Sequence, residues 1–130
     1  MKTKRIWNLE AAVYSALRRA HRNSPEYYQT LNSAKAEYFI PSKKGSPMRR
    51  VHFKCAQCGD LNGRKEVAVD HRLPVIDPNQ GKTNFDDYIK RLFCGTIGLD
   101  VLCKKCHNSK TKAENAIRRA VKKEKKDVKR

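Results

Sequence analysis

Acidic residues are scarce in this chain: 13 Asp and Glu stand against 30 Lys and Arg, a net charge of +17 over 130 residues. A balance so one-sided disfavours cationic partners. It favours a polyanion, because each phosphate neutralised by Lys or Arg releases condensed counterions. Apolar residues are also in short supply, 38% of the chain with 33% charged, so a single domain of this length has only a modest core and needs a further staple. Long hydrophobic runs are missing. The basic start Met1–Arg5 is not followed by an apolar segment or a small-residue cleavage site, which argues against an export signal. The Ala-rich stretch Leu9–Leu17 is too short for a membrane span and contains Glu10. The expected location is cytoplasmic, and the expected chemistry of the five cysteines is metal ligation rather than disulfide formation. No internal repeat is visible.

The charge is unevenly placed. Residues 1–50 hold 11 basic and 3 acidic residues and residues 104–130 hold 12 and 3, whereas 51–103 hold 7 of each. Two basic arms flank a neutral centre.

Helical spacing of Leu9, Ala12, Val13, Ala16, Leu17 and Ala20, with Arg18, Arg19 and Arg22 near its end, predicts a first helix. Ser24-Pro25-Glu26 reads as the start of a second, extending to about Phe39. Pro41–Pro47 reads as a basic loop. Short strands are expected at Val51–Lys54, Val67–Asp70 and Leu99–Leu102. A helix is expected over Phe85–Phe93, capped by Thr83 or Asn84, and a long basic helix from Lys104 to about Asp127.

Two constellations carry chemistry. Cys55-Ala-Gln-Cys58-Gly59 and Cys103-Lys-Lys-Cys106 are paired CxxC knuckles with 44 residues between them. Two-residue spacing aims both thiolates of a knuckle at one ion, and two knuckles complete a tetrahedral four-sulfur shell. Such a shell is a staple, since it leaves no position open for substrate. Gly59 suits the tight turn of the first knuckle, and Cys94 is expected to be a buried free thiol. The second constellation is Val69-Asp70-His71-Arg72-Leu73-Pro74 together with His107, directly after Cys106. The knuckles tie residues 103–106 beside 55–58, so Asp70 and His107 are candidates for one divalent ion, with His71 free as a base for water. His21 and His52 are expected to be structural or surface residues.

The run CAQCG…VAVDHRLPV…LDVLCKKCHNSKT resembles the zinc-knuckle HNH endonucleases, especially small phage-encoded ones, over about residues 51–115. The resemblance implies a small α+β fold: a ββα-metal (HNH) core stapled by a four-cysteine zinc site. Around it stand a basic helical extension at 1–50 and a basic helical tail at 116–130. It further implies Asp70 and His107 as ligands of a catalytic Mg²⁺ or other divalent cation, and His71 as general base. Lys110 and Thr111 stand where family members approach phosphate. Arg72, Lys122 and Lys123 are further candidate contacts to double-stranded DNA. One departure stands out: the family's middle Asn is here Gly98, for which Asn79, Asn84 or Asp100 could substitute. The activity so implied is phosphodiester hydrolysis in a homing or packaging-associated nuclease, acting in the cytoplasm of an infected bacterial host. The competing readings are a zinc-stapled DNA-binding module with a weakened centre and an RNA-binding zinc ribbon. The last explains the charge but not the Asp-His pair.

Overall fold

The computed structural model describes residues 6–41, 43 and 45–129, the side chains of 38–40, 48 and 49 excepted. Helix α1 (Leu9–Arg22) starts on Asn8, whose side chain accepts from the Ala11 N–H at 3.0 Å. Ser24 turns the chain into α2 (Pro25–Ser33): its hydroxyl donates to the His21 carbonyl at 2.6 Å and accepts from the Tyr27 N–H. Helix α2 does not reach Phe39 as the capping signal suggested. Thr30 and Ser33 turn their hydroxyls back onto the Glu26 and Thr30 carbonyls at the helix end, a habit that loosens helices. From Lys35 the chain instead forms strand β1 (Lys35–Ile40), antiparallel to β2 (Met48–Lys54), with Lys35 opposite Phe53 and Ile40 opposite Met48. The Pro41–Pro47 segment joins them, Ser42 and Lys44 lying outside the described residues. A two-residue strand β3 (Leu61–Asn62), not anticipated, completes this sheet.

The second sheet has two antiparallel strands, β4 (Val67–His71) and β5 (Leu99–Cys103), registered so that Asp70 faces Asp100 and His71 faces Leu99. Between them runs α3 (Phe85–Leu92), capped by Asn84, which accepts from the Asp87 N–H at 2.8 Å; Thr83 instead donates to the Asp87 carboxylate. Helix α4 (Lys104–Val128) follows β5 without a break. Sequence boundaries at 50/51 and 115/116 therefore cut through β2 and α4.

The core is divided. Leu31 of α2, Phe53 of β2, Val67 and Val101 form one cluster, which binds the two sheets together through α2. Tyr14 of α1 with Tyr88 and Leu92 of α3 form a second, packed by Leu17, Val75 and Ile76. The third consists of Cys55, Leu102 and Cys103, with Cys106 against them. Small cores of this kind bury too little apolar surface to be stable by packing alone, and the cysteine cluster is one of the three. The architecture is thus a small α+β fold with four helices and two small sheets among the described residues. None of the described helices is long and apolar enough to cross a membrane.

Candidate functional site

The four knuckle cysteines converge. Their sulfurs all lie within 4.8 Å of one another, and Cys58 Sγ stands 3.8 Å from Cys103 Sγ. Four sulfurs about 2.3 Å from a zinc ion at tetrahedral angles are about 3.8 Å apart, so the cluster fits that ion. Local folding explains the convergence. Gly59, at φ 77°, lets its N–H reach back to the Cys55 carbonyl at 3.0 Å, while Ala56 N–H bonds the Val101 carbonyl of β5 at 2.8 Å. The first knuckle is thereby fastened to the strand that carries the second. Cys103 is the N-cap of α4, its sulfur accepting from the Cys106 N–H. Burial pushes the Cys55 thiol up, but the N–H groups of Cys58, Cys103 and Gln57 outweigh it and hold the thiol down to about 6. Cys106 is pushed up to about 12, chiefly by its bond with Cys103 and then by desolvation. A cation is what would let all four sulfurs ionise together.

At the other end of β5 the Asp70 carboxylate, at the end of β4, meets the His107 imidazole on the opening turns of α4, with Oδ1 and Nε2 3.7 Å apart. Lys110, one turn further, donates to Asp70 Oδ2, to the His71 carbonyl and, at 3.3 Å, to the Arg72 carbonyl. Two acids, Asp70 and Asp100, face each other across the strands, an arrangement that costs stability when unrelieved. Each has its own cation: Lys110 on Asp70, and on Asp100 the Arg72 guanidinium, bonded at 3.0 and 3.1 Å through Nε. Of the residues expected on phosphate, Lys110 and Arg72 are thus already engaged with carboxylates. Thr111 is half-buried, and Lys122 and Lys123 are exposed along α4.

His71 Nε2 lies 2.8 Å from the Leu92 carbonyl at the end of α3. A carbonyl only accepts, so Nε2 carries the proton and Nδ1 of the neutral ring keeps the lone pair. A cleft of about 440 Å³ contains both Asp70 and His71, lined also by Arg18, His21, Arg22 and Arg118. Here α1 and α2, expected to be an arm, form a wall. Of the two expectations for His21, structural or surface, the first holds: it is 3% exposed, its ring centroid 4.9 Å from that of His71. Burial, and next the neighbouring His71, lower its pKa, with Glu26 opposing. The missed signal was periodicity. Tyr14, Leu17 and His21 continue one helical stripe, which places the histidine on the inward face. His52 is half-buried in β2.

The loop after His71 is held by the main chain at Gly98 and by the Asp100 carboxylate. Arg72 N–H bonds the Gly98 carbonyl at 2.9 Å, and Asp100 grips the Arg72 side chain. Of the three possible substitutes, Asp100 is the one bonded to Arg72. Asn84 caps α3, and the Asn79 N–H is bonded to Asp77. Cys94 is an exposed free thiol rather than a buried one. It sits beside Gly98, where a Cβ would come within 2.4 Å of its sulfur.

A scan of protein-family models finds no match to this chain, and neither the curated proteins nor the solved structures include one that matches.

Proposed function

We propose that the protein is a metal-dependent DNA endonuclease of the HNH type, in which β4, β5 and α4 form a ββα-metal core and the four cysteines hold structural zinc. The observation that carries this reading is the meeting of Asp70 and His107, 3.7 Å apart, in a fold where the adjacent His71 is bonded to the Leu92 carbonyl and lines a cleft with Asp70. Two donors on one divalent ion with bonds of about 2.1 Å stand no more than about 4.2 Å apart, so this pair fits such an ion.

The chain's own residues divide the work. His71, its Nε2–H on the Leu92 carbonyl, accepts a proton from water at Nδ1. Asp70 and His107 are the groups that would hold Mg²⁺ or a similar cation, whose chemistry when bound is stabilisation of negative charge on phosphate and leaving oxygen. Lys110 must leave the Asp70 carboxylate, or share it, for that loading. The arginines around the cleft attract the phosphodiester backbone. A phage homing or packaging-associated role suits a small basic nuclease of this design, with host cytoplasm as its setting.

The second reading, a zinc-stapled DNA-binding module with a weakened centre, draws on one observation: the Asp70 carboxylate already carries the Lys110 ammonium. Plasmid cleavage decides between them. Purified protein with Mg²⁺ or Mn²⁺ is expected to cut and EDTA to stop it. His71→Ala should cut about 10²- to 10⁴-fold more slowly with DNA affinity and zinc content retained. A protein that binds DNA but cuts under no metal condition is the binding module.

A further inference from the structure

His21 has no role in the chemistry above, yet it is among the most buried residues of the chain and belongs to the N-terminal helix pair rather than to the strands and helix that carry Asp70, His71 and His107. Its backbone is pinned where α1 turns into α2: the His21 carbonyl accepts from both the Ser24 hydroxyl, at 2.6 Å, and the Ser24 N–H, at 3.0 Å. Its ring is enclosed by Tyr27 and by Phe93, the latter edge-on with centroids 5.2 Å apart. A third ring against it is that of His71, inclined at 40° with centroids 4.9 Å apart. Leu92, whose carbonyl takes the His71 Nε2–H, directly precedes Phe93. One short segment at the end of α3 thus fixes the base through a hydrogen bond and backs the ring that lies against it.

We propose that His21 is a positioning residue for His71: its ring is the wall that, with the Leu92 carbonyl, keeps the imidazole in one orientation with Nδ1 toward the cleft. The proposal rests on the nuclease reading for its consequence, but its geometry belongs to the free protein. The contact works by packing rather than by proton transfer. His21 Nε2 faces Glu26 Oε2 at 3.8 Å, beyond hydrogen-bond reach, and both atoms are buried without a hydrogen-bond partner. A ring packed at this inclination limits rotation of its neighbour with no bond to maintain, and small misplacements of a catalytic group are costly in rate.

The experiment has two arms. In the free protein, nitrogen NMR of the His71 ring is expected to show one neutral tautomer, protonated at Nε2, and a mixture in His21→Ala. In single-turnover cleavage at saturating DNA, His21→Ala is expected to lose about tenfold to a hundredfold in rate, with the Kd for DNA within about twofold. His21→Phe, which restores a flat ring, should recover both the rate and the tautomer. If His21→Ala folds poorly, His21→Leu takes its place, filling the space without a flat face. Mixed tautomers in the wild type overturn the proposal, as does a full wild-type rate in the alanine or leucine variant. So does a folded His21→Phe as slow as alanine, which would mean the ring nitrogens are needed. A wild type that never cuts DNA but shows the NMR pattern removes the nuclease reading and leaves the positioning intact.

Discussion

The β4–β5 sheet presents a different set of donors at each end. At Cys103 four sulfurs surround one point, and a tetrahedral ion there has every position filled by protein. At the Leu99 end, Asp70 and His107 offer two donors beside a cleft, and any ion they hold keeps most of its shell for water or substrate. A closed shell converts metal affinity into folding energy, whereas an open one keeps it for chemistry. The two centres also differ in what surrounds them. Cys55 and Cys103, with Cys106 packed against them, belong to a small core among the described residues, while Cys58 is exposed. The carboxylate is balanced by an ammonium, a partner that can be exchanged. Both sets of donors are mounted on the β4–β5 sheet and α4, so an ion held by the sulfurs would also brace the elements that align Asp70 and His107.

The comparison breaks most visibly if the wrong end unfolds. Cys55→Ser or Cys103→Ser is expected to lose about one zinc per chain and the cooperative thermal transition with it, since structural zinc contributes about 10–16 kcal/mol in small zinc domains. Metal analysis and circular dichroism read both. Wild-type protein purified with no bound zinc, yet folded, would remove the staple from the account.

Next in size is the open end. Asp70→Ala and His107→Ala should retain zinc and melt as a folded protein, but lose Mn²⁺ binding by titration calorimetry and cleavage by at least about 10²-fold. Zinc loss in either variant would mean that the two centres are not independent.

The arms beyond both centres supply a third contrast. Lys122, Lys123, Lys125 and Lys126 lie on the exposed last turns of α4, away from either set of ligands. Each lysine that contacts a phosphate contributes about 0.9 to the slope of log K against log salt. Replacing all four by Gln is expected to flatten that slope by up to about 3.6 while leaving the single-turnover rate on bound DNA unchanged. An unchanged slope, measured by fluorescence anisotropy across salt concentrations, would make this run a solvated face.

Much of this was legible along the chain because it is local. The CxxC spacing, the Ser24 and Asn84 caps and the span of α4 are each written within a few residues, and the structure places them where the spacing does. What was hidden is non-local. Strand β1 continues an apparently helical segment, and only pairing with β2, through seven intervening residues, favours the extended form. The two-residue β3 has no pattern to read at all. His21 acquires its surroundings from α3 and β4, and Cys94 is exposed by a turn geometry that its apolar neighbours conceal.

Gly98 shows the same limit and gives the smallest expected effect. As a departure from a family pattern it reads as a lost side chain, so that Gly98→Asn ought to leave cleavage unchanged or improve it. The structure reverses that expectation. The backbone at 98 is not in the left-handed region, so asparagine is not excluded by φ. A Cβ there, however, meets Cys94 Sγ at 2.4 Å and Cys94 Cβ at 2.9 Å. The second atom cannot swing away by a rotamer change, so the turn before β5 must move. Overpacking of this kind costs about 1–3 kcal/mol. The displacement should reach the open end first, because the Gly98 carbonyl holds the Arg72 N–H next to His71, and it should not reach the sulfurs at the other end of β5. Gly98→Asn and Gly98→Ala are therefore both expected to melt a few degrees lower and cut more slowly, with zinc content unchanged. Cys94→Gly should relieve either variant in a double mutant by removing both clashing atoms. If Gly98→Asn cuts faster than wild type, the asparagine is restoring a missing support, and the main-chain bond to Arg72 is not a sufficient replacement for it.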